Sequence, residues 1–247
     1  ANAREKEHSS AEKSTTLKSI NRPSDAPAEW VIAAGLKEDL AIREKVSKNA
    51  SQAMHVLTAT ENILTQATDI VQKVHEMALA TASSEILAGG VRPHVLPEVK
   101  GLYDNLIQVL NTRFGNRTLL AGHQTLSPAF DSQGNFVGDS NKIEIEIDRG
   151  MKVPINLSAE QTIMGKGLQN GVDVLGSIRA LITGLETNDS QMISYSVGEL
   201  NRATEQLSLG RTQIAGRMSQ IDRALNNHGL TKVESADAIA DIEEADP

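Results

Sequence analysis

The most restrictive feature of this sequence is a heptad pattern in its last third. Seam positions there are spaced alternately four and three residues apart, as in a helix that packs lengthwise against other helices. They are Ile193, Val197, Leu200, Thr204, Leu207, Arg211, Ile214, Met218, Ile221 and Leu225. The same phase meets apolar residues again at Ile239 and Ile242, which predicts one helix on the order of 75 Å long. Such a helix needs partner helices of similar length.

The first half of the chain supplies one partner, predicted to begin at Ala28 and to end before Gly89 and Gly90. Its seam consists of Val46, Ala50, Ala53, Leu57, Thr60, Leu64, Ala67, Val71, Val74 and Ala78. A third apolar column, at Val56, Ile63, Ile70 and Met77, widens the face. A two-stranded coiled coil needs only one narrow apolar stripe on each helix, so the wide apolar face indicates a bundle of three or more helices.

The helix start is predicted by a turn over Asn21, Arg22, Pro23, Ser24, Asp25, Ala26 and Pro27. Ser24 or Asp25 can cap the helix, and Pro27 is tolerated in its first turn. Farther on, Pro97 is predicted to open a second helix with Val99, Leu102, Leu106, Val109 and Arg113 or Phe114 on one face. Another helix is predicted over 172–185, with a turn at 184–189 before the long C-terminal helix.

The pattern changes between Arg117 and about Gln161, where glycines and Pro128 separate short apolar runs. Residues 131–135 read as a hairpin turn, residues 143–147 alternate with a period of two, and residues 152–157 read as a further strand. The fold class predicted is therefore mainly α: an elongated bundle of long antiparallel helices with a small inserted β domain. The boundaries are 1–118 for the N-terminal part of the helical domain, 119–164 for the β-rich insertion and 165–247 for the C-terminal helical part.

Composition argues against several functions. Aromatic residues make up 2% of the chain, whereas ligand pockets usually depend on them. A net charge of -8 gives no electrostatic footprint for nucleic acid. There is no cysteine, which excludes disulfides and thiolate chemistry. No apolar run is long enough to span a membrane, residues 1–16 do not read as a secretory signal, and residues 1–20 are left without an assigned structure.

No motif indicates catalysis, a cofactor or a metal. The histidines never form an i, i+4 pair, so a metal site would have to be assembled across elements. The neighbouring carboxylates Glu144 and Glu146, and Glu243 and Glu244, read as solvated side chains. The sequence has no phosphate-binding glycine loop and no nucleophile elbow around a serine. We therefore expect no enzyme activity.

Three polar residues occupy seam positions: Thr60, Thr204 and Arg211. They can set the register between helices at some cost in stability. Alternatively, Arg211 extends its aliphatic stem along the bundle edge to solvent.

Several stretches resemble the bacterial flagellin family. The turn over 21–27 is similar to the family's acidic loop before its first long helix. Residues 111–125, 128–130 and 136–139 look like the helix-to-strand junction of the family's hook–filament junction members. Residues 210–211, 216–218 and 234–246 resemble its C-terminal helix. Together these stretches extend over most of 20–246 and occur in the family's order.

The resemblance implies a structural flagellar protein that lies between hook and filament. It implies export by the flagellar type III pathway without a cleaved signal, to an extracellular location on the flagellum. Expected partners are copies of the chain, a neighbouring hook-associated protein, flagellin, and an export chaperone that acts through terminal segments lying outside 1–247. We expect protein contacts at Arg22, Pro23, Ser24, Asp25, Pro27 and Arg211, and an isolated chain that is monomeric.

Two other functions stay open at this point. Within the family, the chain could be the filament subunit itself; the pattern over 130–139 and the small insertion favour the junction protein. From a different class, a helical bundle could serve as a sensor or ligand-binding domain, for which the seams offer only Thr60, Thr204 and Arg211 as polar lining.

Overall fold

The structure is a computed structural model that describes residues 20, 22–82 and 92–243. The helices are α1 (Pro27–Ala82), α2 (Arg92–Leu110), α3 (Ala159–Thr162), α4 (Val174–Thr187) and α5 (Ser190–Glu243). The strands are β1 (Arg113–Phe114), β2 (Arg117–Thr118), β3 (Glu144–Asp148) and β4 (Met151–Pro154). The mainly α prediction with a small β insertion is confirmed. Predictions for residues 1–19 and for the end of the first helix near Gly89 and Gly90 fall outside the described residues.

The chain divides into two compact units. Unit 1 comprises residues 1–51, 146–151 and 221–247, and unit 2 comprises residues 52–145 and 152–220. Both long helices contribute to both units, so each unit contains a stretch of α1 and a stretch of α5. The predicted boundaries at 118 and 164 remain a prediction.

Ion pairs show that α1 and α5 run antiparallel within each unit. In unit 1, Glu44 lies 2.8 Å from Lys232, and Lys37 pairs with Glu243. In unit 2, Glu61 lies 2.9 Å from Arg211, and a Cβ added at Gly210 would lie 3.6 Å from Leu64 Cδ1. Residue numbers in α5 therefore fall as those in α1 rise. With 56 residues in α1 and 54 in α5, each helix is roughly 80 Å long.

The predicted seam of α1 is confirmed. Every seam residue from Ala50 to Ala78 is buried, while Val46 at its start is half-buried. In the third column, Ile63 and Ile70 are also buried. Two buried columns require more than one neighbour, which is the condition that the wide apolar face predicts.

The α5 seam is confirmed in one column and shifted in the other. The column Ile193, Leu200, Leu207, Ile214, Ile221 and His228 is buried at every seventh residue. The predicted second column, Val197, Thr204, Arg211, Met218 and Leu225, is only half-buried, and small residues one position earlier, Ser196, Ala203, Gly210 and Ala224, are buried instead.

Close helix approach explains the shift at Gly210. A Cβ added at Gly210 would lie 2.6 Å from Thr162 Cγ2 and 3.6 Å from Leu64 Cδ1. Such spacing leaves no room for a branched side chain. The larger residue one position later therefore lies at the edge of the contact.

Three helix boundaries differ from prediction. Pro97 does not open α2 but lies inside it, and Gly184 does not begin a turn but is buried within α4. The α4 helix begins after the N-cap Asp173, whose carboxylate accepts from Gly176 N at 2.9 Å. It ends at Asn188, whose φ of 56° supplies the left-handed C-cap that glycine usually provides.

The β insertion contains the predicted hairpins and one that was not predicted. Phe130 and Phe136 bridge across the turn at 131–135, and β3 pairs with β4. The unpredicted β1–β2 hairpin contains Arg113 and Phe114, which the sequence places wrongly on the face of a helix. The helix stops at Leu110, and Gly115 takes the positive φ of 60° that the tight turn requires.

Candidate interaction surfaces

The turn before α1 is a small, exposed structure held by its own backbone. Asp25 N donates to Arg22 O at 3.0 Å, and Arg22 N donates to Asp25 Oδ2 at 2.9 Å. Ala26 O accepts from Trp30 N at 2.9 Å, which starts the helix. The side chains of Arg22, Pro23, Ser24, Asp25 and Pro27 are all exposed. The turn thus presents a fixed shape to solvent, and its role in binding remains a prediction.

Arg211, the other predicted interaction residue, contacts an acid on the neighbouring helix. Its Nε and Nη2 donate to Glu61 Oε1 at 3.2 and 2.9 Å, and its side chain is partly exposed. Both interpretations of Arg211 thus hold in part: its side chain reaches the bundle edge, and there it links α5 to α1. It belongs to unit 2 whereas the turn belongs to unit 1.

The seam threonines are satisfied within their own helices. Thr60 Oγ1 donates to Val56 O at 2.9 Å, and Thr204 Oγ1 donates to Leu200 O at 3.0 Å. These i−4 bonds remove the cost of burying a hydroxyl. The two hydroxyls therefore form no polar site between helices.

Asn111 organises the junction between α2 and the β insertion, a role that the sequence did not reveal. Its Oδ1 accepts from Ala129 N at 2.8 Å and Phe130 N at 2.9 Å, and its Nδ2 donates to Phe130 O at 2.8 Å. The partners lie 18 and 19 residues away. The sequence signal was confined to the resemblance over 111–125.

Gln206 plays a similar role on α5. Its Oε1 accepts from Val172 N at 2.9 Å, and its Nε2 donates to Thr162 O at 2.9 Å and Val172 O at 3.0 Å. The side chain is buried, so the three bonds fix the segment between α3 and α4 against α5. A lone glutamine outside the seam gives no sequence signal for such a contact.

Two aspartates shape the β insertion through backbone contacts. Asp131 Oδ1 accepts from Gln133 N and Asn135 N, and Asp131 Oδ2 accepts from Asn135 Nδ2 at 2.9 Å. The Asn135 side-chain bond is the main cause of the lowered pKa of Asp131. Asp139 accepts from His123 N at 3.0 Å, and that bond lowers its pKa most.

His228 closes the buried column of α5 in unit 1. Its Nε2 lies 2.9 Å from Ile147 O and 4.0 Å from Asp148 Oδ1, while its buried Nδ1 has no hydrogen-bond partner among the residues that the structure describes. Across the described ranges no group of three or more potential metal ligands occurs. None of the helices described has the length and hydrophobicity to span a membrane.

A match to a protein-family model identifies the family to which this chain belongs. The family model for the bacterial flagellin N-terminal helical region matches residues 1–125, which is half of the 247-residue chain. The chain belongs to the bacterial flagellin family. The family's proteins are structural parts of the flagellum, so the resemblance stated from the sequence is confirmed.

Two relatives in the family are equally similar in sequence. Flagellar hook-associated protein 3 of Escherichia coli is 25% identical over 219 residues, covering 87% of this chain and 67% of that protein. Flagellin FlaB1 of Treponema pallidum is 25% identical over 206 residues, covering 82% of this chain and 66% of that protein. The chain thus spans about two thirds of each relative.

Solved structures share the fold. A Vibrio parahaemolyticus protein described as a flagellar hook-associated protein superimposes with a TM-score of 0.80 at 18% identity, covering 89% of this chain and all (100%) of that one. Bacillus cereus FlgL gives a TM-score of 0.71 at 14% identity, with 83% and 98% covered. These likenesses concern the flagellin-family fold alone.

Proposed function

We propose that this chain is a structural subunit of the bacterial flagellum at the junction between hook and filament. The observation that carries the proposal is the 25% identity to E. coli hook-associated protein 3 over 87% of the chain. The small β insertion, with its hairpin between Phe130 and Phe136, supports the junction protein over the filament subunit. The FlaB1 match keeps the filament subunit as the second candidate.

The described geometry suits a part that bears load rather than one that transforms a substrate. The buried columns hold the antiparallel helices together in each unit, and the ion pairs between them add modestly to this. Gln206 and Asn111 connect loops to those helices through three bonds each. Many modest contacts of this kind sum to a stable assembly without one dominant site. The family match gives no support to a sensor or ligand-binding role.

The proposed partners are copies of this chain, a neighbouring hook-associated protein, flagellin and an export chaperone. The proposed route is type III export without a cleaved signal peptide. We assign the turn at 22–27 to contacts with neighbouring subunits, because the side chains of all its residues except Ala26 are exposed. We also assign Arg211 to contacts with neighbouring subunits, because its partly exposed guanidinium lies at the bundle edge, where it pairs with Glu61.

The test is deletion of the gene in the source bacterium, followed by complementation with an epitope-tagged copy. A junction protein predicts hooks without filaments, flagellin released into the medium, and tag labelling confined to the hook end of complemented flagella. Labelling along the whole filament would instead identify the filament subunit. Normal filaments in the deletion strain would overturn both assignments.

A further inference from the structure

A shallow apolar pocket lies in unit 2 beside the β1–β2 hairpin. It is lined by Val56, Phe114, Arg117, Thr118, Leu119, Thr125, Ile143, Ile155 and Asn156. Its volume of about 50 Å³ is far below the roughly 300 to 1,000 Å³ of small-molecule sites. Phe114 is 46% exposed, and Leu126, next to Thr125, is 76% exposed. The pocket therefore fits side chains of a docking protein better than a small ligand.

Three arginines lie at or next to this pocket. Arg117 lines it, Arg113 pairs in the ladder with the lining residue Thr118, and Arg217 donates to the lining residue Asn156 through its carbonyl at 2.7 Å. Within 22–82 and 92–243, none of these three guanidinium groups forms an ion pair with a carboxylate. By contrast, Arg43, Arg149 and Arg179 each pair with an aspartate. We call this region, with Phe114 and Leu126, the basic pocket.

The end of α5 carries the complementary pattern on one exposed face. Leu230 and Val233 are 66% and 60% exposed, and Glu234, Asp237 and Asp241 follow at helical spacing on the same side. These three carboxylates form no ion pair with any described residue. We call these five residues the acidic face; it belongs to unit 1.

We propose that the acidic face of one copy docks on the basic pocket of a second copy. The apolar side chains Leu230 and Val233 meet Phe114 and Leu126, and the carboxylates meet the arginine rim. Matching of unpaired cations with unpaired carboxylates sets the orientation of such a contact. The inference rests on the proposed function, since it presupposes that copies of this chain assemble with one another.

The contact is heterologous, because the two surfaces are different parts of the chain. Each copy that uses its pocket keeps its acidic face available, and the reverse also holds. Head-to-tail contacts of this kind generate rings or open stacks rather than closed two-fold dimers.

The chain has no cysteine, so pairs of single-cysteine variants report the contact without background. Full-length Leu126→Cys, carrying a size tag, is mixed with Val233→Cys and oxidised, and disulfide-linked heterodimers are measured by non-reducing electrophoresis. The pair Leu126→Cys and Tyr195→Cys, with Tyr195 exposed on α5, measures random collision. We expect the Val233 pair to give several times the heterodimer yield of the control pair.

Charge variants then test the orientation. Arg117→Glu in the tagged partner should lower the yield roughly two- to fivefold, the loss expected for an exposed ion pair. Asp237→Arg in the other partner should restore it, whereas Lys45→Glu, an equal charge change at an exposed residue of unit 1, should not alter it. Equal yields from the Val233 and Tyr195 pairs, or no response to Arg117→Glu, would overturn the proposal. The assay uses purified protein, so its failure is distinct from failure of complementation in the cell.

Discussion

Single polar side chains determine how the β insertion joins the helices, and Asn111 is the clearest case. Its amide accepts two backbone N–H groups and donates to one carbonyl around Phe130. All three backbone groups belong to a segment that lacks a continuous strand partner. Asn111 thus supplies hydrogen bonds that a longer sheet would otherwise provide.

We expect Asn111→Ala to lower the free energy of unfolding by roughly 1 to 3 kcal/mol, because three partly buried backbone groups lose their partner. Asn111→Asp is the matched control, since a carboxylate still accepts from Ala129 N and Phe130 N but cannot donate to Phe130 O. It should cost less than the alanine variant. Urea denaturation of the three proteins measures this, and equal stability of all three would contradict the assigned role.

Asp131 makes the hairpin sensitive to acid. Hydrogen bonds to the ionised carboxylate, above all from the Asn135 side chain, hold the pKa of Asp131 below its ordinary value, so its stabilising contribution is complete above the unfolded-state pKa of about 3.9. That contribution is lost as the pH falls through the lower, folded-state pKa. Thermal unfolding from pH 6 down to pH 2 should show a smaller acid-induced fall in Tm for Asp131→Asn than for the unaltered chain. An identical fall would show that Asp131 does not contribute.

At the scale of elements, the heptad spacing predicted both long helices and most of their buried residues. The seam from Ala50 to Ala78 and the column from Ile193 to Ile221 are buried as expected. These positions are predictable because apolar periodicity depends on one helix at a time. The strand at 144–148 was predictable for the same reason, with a period of two.

Features that depend on two elements were not predictable. The burial of Gly210 in place of Arg211 depends on the approach of Thr162 and Leu64. The end of α4 depends on Asn188 in place of a glycine. The bonds of Asn111 and Gln206 join residues far apart in the chain, so the functional junctions they form had no local pattern. Pro97 was misread because proline only weakens a helix that tertiary packing holds.

Leu64→Ala and Ile214→Ala should each lower the free energy of unfolding by roughly 2 to 5 kcal/mol, because each side chain is fully buried in unit 2. Leu209→Ala provides the control: Leu209 lies on the same helix as Ile214 but is exposed, and its loss should stay within about 0.5 kcal/mol. Chemical denaturation of the three variants and the unaltered chain measures these changes in the free energy of unfolding. Losses below about 1 kcal/mol at both buried sites would contradict the buried-column packing.

At the scale of the whole molecule, we expect separate copies to stay apart in dilute solution, because their net charge repels and their contacts are weak. The net charge of -8 opposes self-association at low salt, and the two long helices bury their columns against the chain's own helices. The pocket has a volume of only 50 Å³ and meets a single face of one helix. The surface area buried by such a contact is small compared with the roughly 1,600 Å² of a stable interface. The proposed contact between copies is therefore transient until many copies are held together.

We expect a single species near 26.5 kDa in sedimentation velocity at tens of micromolar. A stable dimer or polymer at that concentration would show that the helix seams pair between chains. If copies associate, raising the salt concentration distinguishes charge-based docking from pairing of the helix seams. Screening weakens charge-based docking but leaves apolar seam pairing intact.

The turn at 22–27 should matter for assembly rather than for folding. We expect Asp25→Ala to reduce motility in the complemented deletion strain while Tm falls only slightly, because the turn is exposed and buries little apolar surface. Glu38→Ala, which removes a carboxylate at an exposed position of α1 outside the turn, is the control and should leave motility unchanged. A large fall in Tm with normal assembly would show that the turn is a structural element.

The burial along α1 is uneven, and this has a mechanical consequence. Between Ala28 and Asn49 only Ala33 is buried, whereas every seam residue from Ala50 to Ala78 is. Local opening is easiest where few apolar side chains are buried, so backbone amides before Ala50 should exchange with deuterium faster than those after it. The N-terminal stretch of α1 can therefore open locally while the stretch from Ala50 to Ala78 keeps its backbone hydrogen bonds.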